Sequence, residues 1–324
     1  MISPDTAQPD EEAPEQGVAA AHAALLSWYA EHGRDLPWRH TRDAYAILVA
    51  EMMLQQTGVE RVLPKYDAWL KRFPTLQALA DAPTAEAIRL WSGLGYNSRA
   101  VRLQSIARDV VARYDGRLPA SVDALMSLKG IGHYTAGAIA CFAYEQDVAF
   151  VDTNVRRVLS RAFVGPGGAA GPLREKAVRE LAERVLPRGR SWAWHQALMD
   201  LGATICTDAR PACLICPLHA TCRSAFRISH VAREAGAAYT VRAKESPWHG
   251  STRYYRGRIV ALLAGLTPDQ RIALDDLVGR IIAEGGKADG DPALVADLVT
   301  RLAAEGLVAL HRRPDGQVDV SLPL

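Results

Sequence analysis

"LKGIGHYTAGAI" (residues 128–139) sets two glycines around one isoleucine, where one helical pattern stops and the next begins. Gly130 and Gly132 remove the side chains that would keep a ligand's backbone at a distance. The second helix, opening near His133, would aim its free backbone N–H groups at that corner, which suits a phosphate. Ile131 is expected to point inward and lock the turn. Lys129 stands beside the corner, where its charge would meet the same phosphate. Tyr134 lies on the first turn of the second helix, and a phenol cannot form a Schiff base. A glycine–hydrophobic–glycine corner also fits a plain helix–helix turn, so its surroundings must decide.

Working outward, residues 19–225 read as almost entirely helical. "DAYAILVAEMMLQQT" (43–57) repeats apolar residues at helical spacing, with Asp43 placed to cap it. Further helical patterns run over residues 59–72, 85–90, 99–114, 121–128, 134–142, 154–163, 173–185 and 191–201, with Gly or Pro in most gaps. "FVGPGGAAGP" (163–172) is a loop. Beyond residue 250 the pattern changes. Two or three short helices precede "GLVALHRRPDGQVDVSLPL" (306–324), two alternating runs joined across Pro-Asp-Gly as a hairpin. Helices followed by a terminal hairpin predict a small winged-helix-like module, a shape that serves DNA or protein contacts equally well.

Among the 324 residues, 49% are hydrophobic and 23% charged, with a formal net charge of +2. These proportions describe an ordinary folded protein and do not separate a DNA binder from a sugar enzyme. No apolar run reaches the roughly 18 residues of a membrane span. The N-terminus has the Pro, Asp and Glu content of a short disordered acidic tail and lacks a secretory pattern.

Four of the five cysteines crowd into "CTDARPACLICPLHATC" (206–222), a C-x6-C-x2-C-x5-C spacing. Four thiolates hold either tetrahedral zinc or a [4Fe–4S] cluster. One short pair with two longer arms favours the cluster, in a structural role and a reducing compartment. Cys141 stands apart as a buried small hydrophobe.

Two carboxylates carry the chemistry. Glu51 is alone among apolar residues, and such an acid keeps its proton to higher pH, as a general acid must. It also fits a partly exposed helix glutamate. Asp152 opens the helical run "DTNVRRVL" and reads as an N-cap, held ionised by helix N–H groups and ready to face a developing positive charge.

Together "PWR" (37–39), "EMMLQQT" (51–57), "WSGLGYNSRA" (91–100), "LKGIGHYTAGAI" (128–139), "VDTNVRRVLSR" (151–161), "HQALMDLGATICT" (195–207) and the cysteine spacing resemble the A/G-specific adenine DNA glycosylases. These share the helix-hairpin-helix superfamily with endonuclease III. The resemblance covers roughly residues 22–225. It implies a mainly α, helix-hairpin-helix DNA glycosylase fold: a six-helix barrel lobe over about 42–150 and an iron–sulfur cluster lobe from about 21–41 and 151–225. A tail over 1–20, a linker over 226–250 and the winged-helix-like module over 251–324 complete the expected organisation.

The implied activity is hydrolysis of the N-glycosidic bond of adenine mispaired with 8-oxoguanine or guanine, with the base flipped out of the duplex. Glu51 matches the family's acid and Asp152 the carboxylate that stabilises the sugar cation. Tyr134 and Asn154 complete the catalytic group, while Arg39 and Gln196 line the adenine pocket. Gln56, Thr57 and Leu94 match mispair-reading positions, and Tyr96 the ring wedged into the base stack. Lys129, Gly130, Ile131 and Gly132 form the backbone-binding hairpin, and Cys206, Cys213, Cys216 and Cys222 hold one [4Fe–4S] cluster. A monomer acting on double-stranded DNA in a bacterial-type cytoplasm is implied.

The lyase relatives, acting on oxidised pyrimidines or mismatched thymine, carry an amine where Tyr134 stands. The family's longer members end in a Nudix-like domain that reads 8-oxoguanine, which the segment after Gly250 does not resemble. Asn97 replaces the second aromatic of the usual "GLGYY".

Overall fold

The computed structural model describes residues 15–166, 173–227, 250–284 and 291–324. Residues 1–14 of the expected tail, 167–172 of the expected loop and 228–249 of the expected linker lie outside these. The elements in chain order are α1 (Glu15–His32), α2 (Ala44–Leu54), α3 (Val59–Arg72), α4 (Leu76–Asp81), α5 (Thr84–Trp91), α6 (Ser98–Tyr114), α7 (Val122–Met126), α8 (His133–Phe142), α9 (Thr153–Leu159), α10 (Glu175–Arg184), α11 (Ser191–Thr204) and α12 (Thr252–Ala264). β1 (Ile272–Ala273), α13 (Leu274–Glu284), α14 (Pro292–Ala304), β2 (Ala309–Arg312) and β3 (Val318–Ser321) follow. The mainly α reading holds. Helix α1 begins at Glu15, inside the segment expected to be a tail, and α4 lies in a stretch with no helical expectation.

The chain divides into two compact units, residues 1–40 with 136–240 and residues 41–135 with 241–324. In the first, Leu25 of α1 and Val155, Val158 and Leu159 of α9 are buried together with Trp194, Leu198 and Leu201 of α11. The iron–sulfur cluster lobe was expected over much of this unit, and among the described residues no group of three or more His, Cys, Asp or Glu is placed to hold a metal ion. Cys206, Cys216 and Cys222 pack against this apolar core as small, partly buried side chains.

In the second unit, α2 is buried from Tyr45 to Met53, so it has no polar face. Asp43 caps it, accepting a hydrogen bond from Tyr45 N at 3.0 Å. Helices α12, α13 and α14 pack over a three-stranded antiparallel sheet in the order β1-β3-β2, with Leu310 opposite Val320 across the hairpin. This C-terminal segment does not close its core alone. Ala85 and Ile88 of α5 are buried in the same cluster as Tyr254, Tyr255 and Ile259 of α12. Ala85 N donates to Pro323 O at 2.8 Å, and Arg89 reaches Leu266 O at 3.3 Å.

Candidate active site and DNA-reading loops

Glu51 is the single charged residue of α2 and is only 6% exposed. The helix stops at Leu54, and Gln55, Gln56 and Thr57 form the loop that follows. A second loop, Gly93 to Tyr96, follows α5; Gly93 and Gly95 adopt φ +95° and +75°, which glycine tolerates without strain. Arg99, at the start of α6, ties the two loops together. It donates to the carbonyls of Met52, Met53 and Gln55 at 2.8, 3.2 and 2.6 Å, and to Leu94 and Gly95 at 3.4 and 3.0 Å. It also donates to Thr57 Oγ1 at 3.1 Å. Burial pulls Arg99 down to about 10, which still leaves it charged at neutral pH.

Of the expected mispair-reading residues, Gln56 and Tyr96 project from these loops while Leu94 is buried. Tyr96 is 41% exposed, and its hydroxyl donates to Gln56 Oε1 at 2.7 Å. Both residues have left-handed backbone, φ +47° and +54°, a conformation that non-glycine residues keep only where neighbours enforce it. The role of Arg99 escaped the sequence reading. Its signal was an arginine in register with Leu103, Ile106 and Val110 on the buried stripe of α6.

At the hairpin, Ile131 is buried and its N–H donates to Leu128 O at 3.1 Å, so it locks the corner as expected. Lys129 and Gly132 are exposed and Tyr134 is half-buried. Gly130 needs its glycine: φ is +106°, and a Cβ there would lie 2.5 Å from Arg102 Cδ. Gly132 faces open space.

In the other unit, Asp152 caps α9. Its Oδ1 accepts from Val155 N at 2.6 Å and its Oδ2 from Asn154 Nδ2 at 3.1 Å. Arg157 in turn donates to Asn154 Oδ1 at 2.8 Å, Gly202 O at 2.7 Å and Cys206 O at 2.7 Å. Gly202 lets α11 approach; a Cβ there would stand 2.6 Å from Asn154 Cβ. The cap geometry matches the expectation, but its electrostatic result differs. Burial raises the Asp152 carboxyl above its ordinary value, against the opposing hydrogen bonds of Val155 and Asn154 and the charge of Arg157.

Arg39 and Gln196, expected at the adenine pocket, are both buried in this unit. Arg39 donates to Asp200 Oδ2 and Oδ1 at 2.8 and 2.7 Å, and Arg34 donates to Asp200 Oδ1 at 2.7 Å. Burial alone would raise Asp200, but its hydrogen bonds and charge contacts with Arg39 and Arg34 outweigh this and hold it below the ordinary carboxylate range. The sequence reading missed Asp200; a lone acid on apolar α11 was the available signal. The Nε of Arg39 is buried with no hydrogen-bond partner.

The metal expectation is corrected. Among the described residues, no group of three or more His, Cys, Asp or Glu side chains is placed to hold a metal ion. The [4Fe–4S] cluster expected at Cys206, Cys213, Cys216 and Cys222 is therefore not supported. Burial, and after it the neighbouring cysteines, push Cys216 up to about 11 and raise Cys222. Cys222 Sγ donates to Arg161 O at 3.4 Å, and Arg161 donates to Cys206 Sγ at 3.6 Å. Spacing shows which sulfurs lie near one another in the chain, but not how they are placed in space.

Residues 49–188, which include Glu51 and Asp152, match the HhH-GPD superfamily base excision DNA repair protein family. The chain is 42% identical over 292 residues to an adenine DNA glycosylase of Mycolicibacterium smegmatis, covering 88% of this chain and 94% of that one. A match of that length extends into the C-terminal segment. The human adenine DNA glycosylase is 43% identical over 220 residues, covering 65% of this chain and 40% of that one. A solved thermostable thymine-DNA glycosylase matches with a TM-score of 0.61 and 34% identity, over 65% of this chain and 97% of that one. An endonuclease III–DNA covalent intermediate, at 21% identity and TM-score 0.57 over 66% of this chain and 98% of that one, shares the fold. With a lone buried acid on α2, a capping aspartate on α9 and a nearly full-length match to a bacterial relative, the chain belongs to the adenine DNA glycosylases, within the HhH-GPD superfamily of base excision DNA repair proteins.

Proposed function

We infer that the protein is a DNA N-glycosylase that hydrolyses the bond between adenine and deoxyribose where adenine is mispaired with 8-oxoguanine or guanine. The observation that carries this reading is Glu51, the one charged side chain in a helix otherwise buried and apolar, inside the segment matched to the family. In the proposed reaction, Glu51 gives its proton to N7 of the flipped adenine. The C1′–N9 bond then breaks, its electron pair leaving with the base. The cationic sugar faces Asp152, and water adds at C1′ while its proton passes to a carboxylate, the two-carboxylate logic of glycoside hydrolysis. Asn154 orients Asp152 through the 3.1 Å hydrogen bond between them. Arg39 and Gln196 line the adenine pocket, with Arg39 held in place by Asp200.

The hairpin Lys129–Gly132 holds the phosphate backbone, and Tyr96 wedges into the stack beside the base opposite adenine, with Gln56, Thr57 and Leu94 about it. Tyr134 offers no amine to attack C1′, so the product is an abasic site in an intact strand. The protein acts as a monomer on duplex DNA in a bacterial-type cytoplasm. Among the described residues, no helix is long and apolar enough to cross a membrane.

Single-turnover base release from A·8-oxoguanine and A·G duplexes tests the reading. Adenine release with strand breakage only after alkali is expected, and Glu51→Gln and Asp152→Asn should each slow release by about 10³-fold. Asparagine still caps a helix, so the second variant separates the charge from the cap. Breakage without alkali at an oxidised pyrimidine, or full activity in Glu51→Gln, would refute it.

A further inference from the structure

Tyr96 meets a cation from outside the helix-hairpin-helix segment. The guanidinium of Arg253 lies over the Tyr96 ring, 4.7 Å from its centroid. Arg99 approaches the same ring at 5.4 Å, but its N–H groups are occupied by the carbonyls of both loops. Arg253 sits in the first turn of α12, which Ser251 caps by accepting from Tyr254 N at 3.2 Å. Its place is set by packing. Tyr254, Tyr255 and Ile259 of α12 share a buried core with Ala85 and Ile88 of α5, and α5 is the helix that leads into the Gly93–Tyr96 loop. The C-terminal segment is thus anchored on the helix that carries the wedge, with a guanidinium over the wedge itself.

We propose that Arg253 is a positioning residue for Tyr96, so that the C-terminal segment contributes to how the enzyme grips the base opposite adenine. The proposal rests on the reading of Tyr96 as the wedge. A 41%-exposed aromatic ring on left-handed backbone would gain by folding back onto apolar surface. The hydroxyl contact with Gln56 fixes one end of the ring, and the cation over its face fixes the other degree of freedom, leaving the ring projecting and ordered before DNA arrives. Preorganisation of this kind appears as affinity, because the ordering cost is met before binding.

The test uses the full-length chain carrying Glu51→Gln, so that no base is lost, and measures Kd for a duplex with one A·G pair. Arg253→Ala should weaken binding on the order of two- to fivefold, the range of an exposed cation–π contact. Arg253→Lys should restore most of it. In a Tyr96→Ala background, Arg253→Ala should add little, and Arg256→Ala, which breaks the Arg256–Glu305 pair of the same helix, should not reproduce the loss. Unchanged affinity in Arg253→Ala, or an equal loss in the Tyr96→Ala background, would overturn the positioning role. An equal loss in Arg256→Ala would overturn it in favour of general weakening of the segment. Unchanged affinity in Tyr96→Ala alone would instead remove the wedge reading beneath it.

Discussion

Arg99 and Arg157 each bind several backbone carbonyls and so fix the segment that carries a functional side chain, yet the side chains they serve end in different surroundings. Arg99 is itself buried and joins two loops so that Tyr96 stands out into solvent. Arg157 bridges α9 to Gly202 O and Cys206 O, and through Asn154 it steadies a half-buried Asp152. In the proposed function, a ring that enters a base stack has to project, whereas a carboxylate acts most strongly on a nearby charge where water is scarce. Similar hydrogen-bonding chemistry, in two different units of the chain, therefore supports an exposed ring in one and a half-buried carboxylate in the other.

The widest separation should come from replacing each arginine with methionine. Arg99→Met leaves several buried carbonyls unpaired and should cost about 3 kcal/mol of stability, read by thermal unfolding, with its functional loss concentrated in Kd for duplex DNA. Arg157→Met should instead slow single-turnover base release by up to about 100-fold, since Asn154 and Asp152 lose their alignment. If both variants damage the same parameter, the contrast between the two regions dissolves.

A smaller effect concerns pH. In the proposed reaction Asp152 is ionised to face a cationic sugar, and burial raises its carboxyl, so base release should fall on the acid side at a pH above the ordinary carboxylate value of about 3.9. Asn154→Ala removes a hydrogen bond that opposes the rise, and the acid limb should move further up; a downward move would contradict the assignment. The same raised carboxyl binds its proton more tightly in the folded than in the unfolded chain. Its contribution to stability is therefore present at low pH and lost as pH climbs through the folded value.

The smallest expected change is at the hairpin. Gly132→Ala meets nothing within 4 Å, so its unfolding temperature should be unchanged while affinity for all duplexes drops roughly a few-fold alike, phosphate contacts being blind to sequence. Gly130→Ala should also lower stability, by about 1 kcal/mol or more, because of its φ of +106° and the Arg102 side chain above it. Loss of binding to one base pair alone would show that the hairpin does more than hold the backbone.

Much of the molecule was legible from local rules. Asp43 and Asp152 cap the helices they were expected to cap, and the Pro-Asp-Gly turn joins two paired strands. Glu51 was conspicuous because no other charge interrupts its helix. The networks were not legible. Arg99, Arg157 and Asp200 act on partners far along the chain, and an arginine on a helix is most often a solvated one. The cysteines misled for a related reason, since a spacing motif carries no information on how side chains are placed in space, and among the described residues no group of them is placed to hold a metal ion.

Residue order alone determined most of the helices, the hairpin corner, the two candidate carboxylates and the family they point to, because period, capping and glycine backbone freedom act over a few residues. Tertiary structure alone decided that Tyr96 projects under Arg253, that Arg39 is bound to Asp200, and that burial draws the Asp152 carboxyl upward. These depend on which distant groups share a neighbourhood and how much water is left there, and neither can be read along the chain.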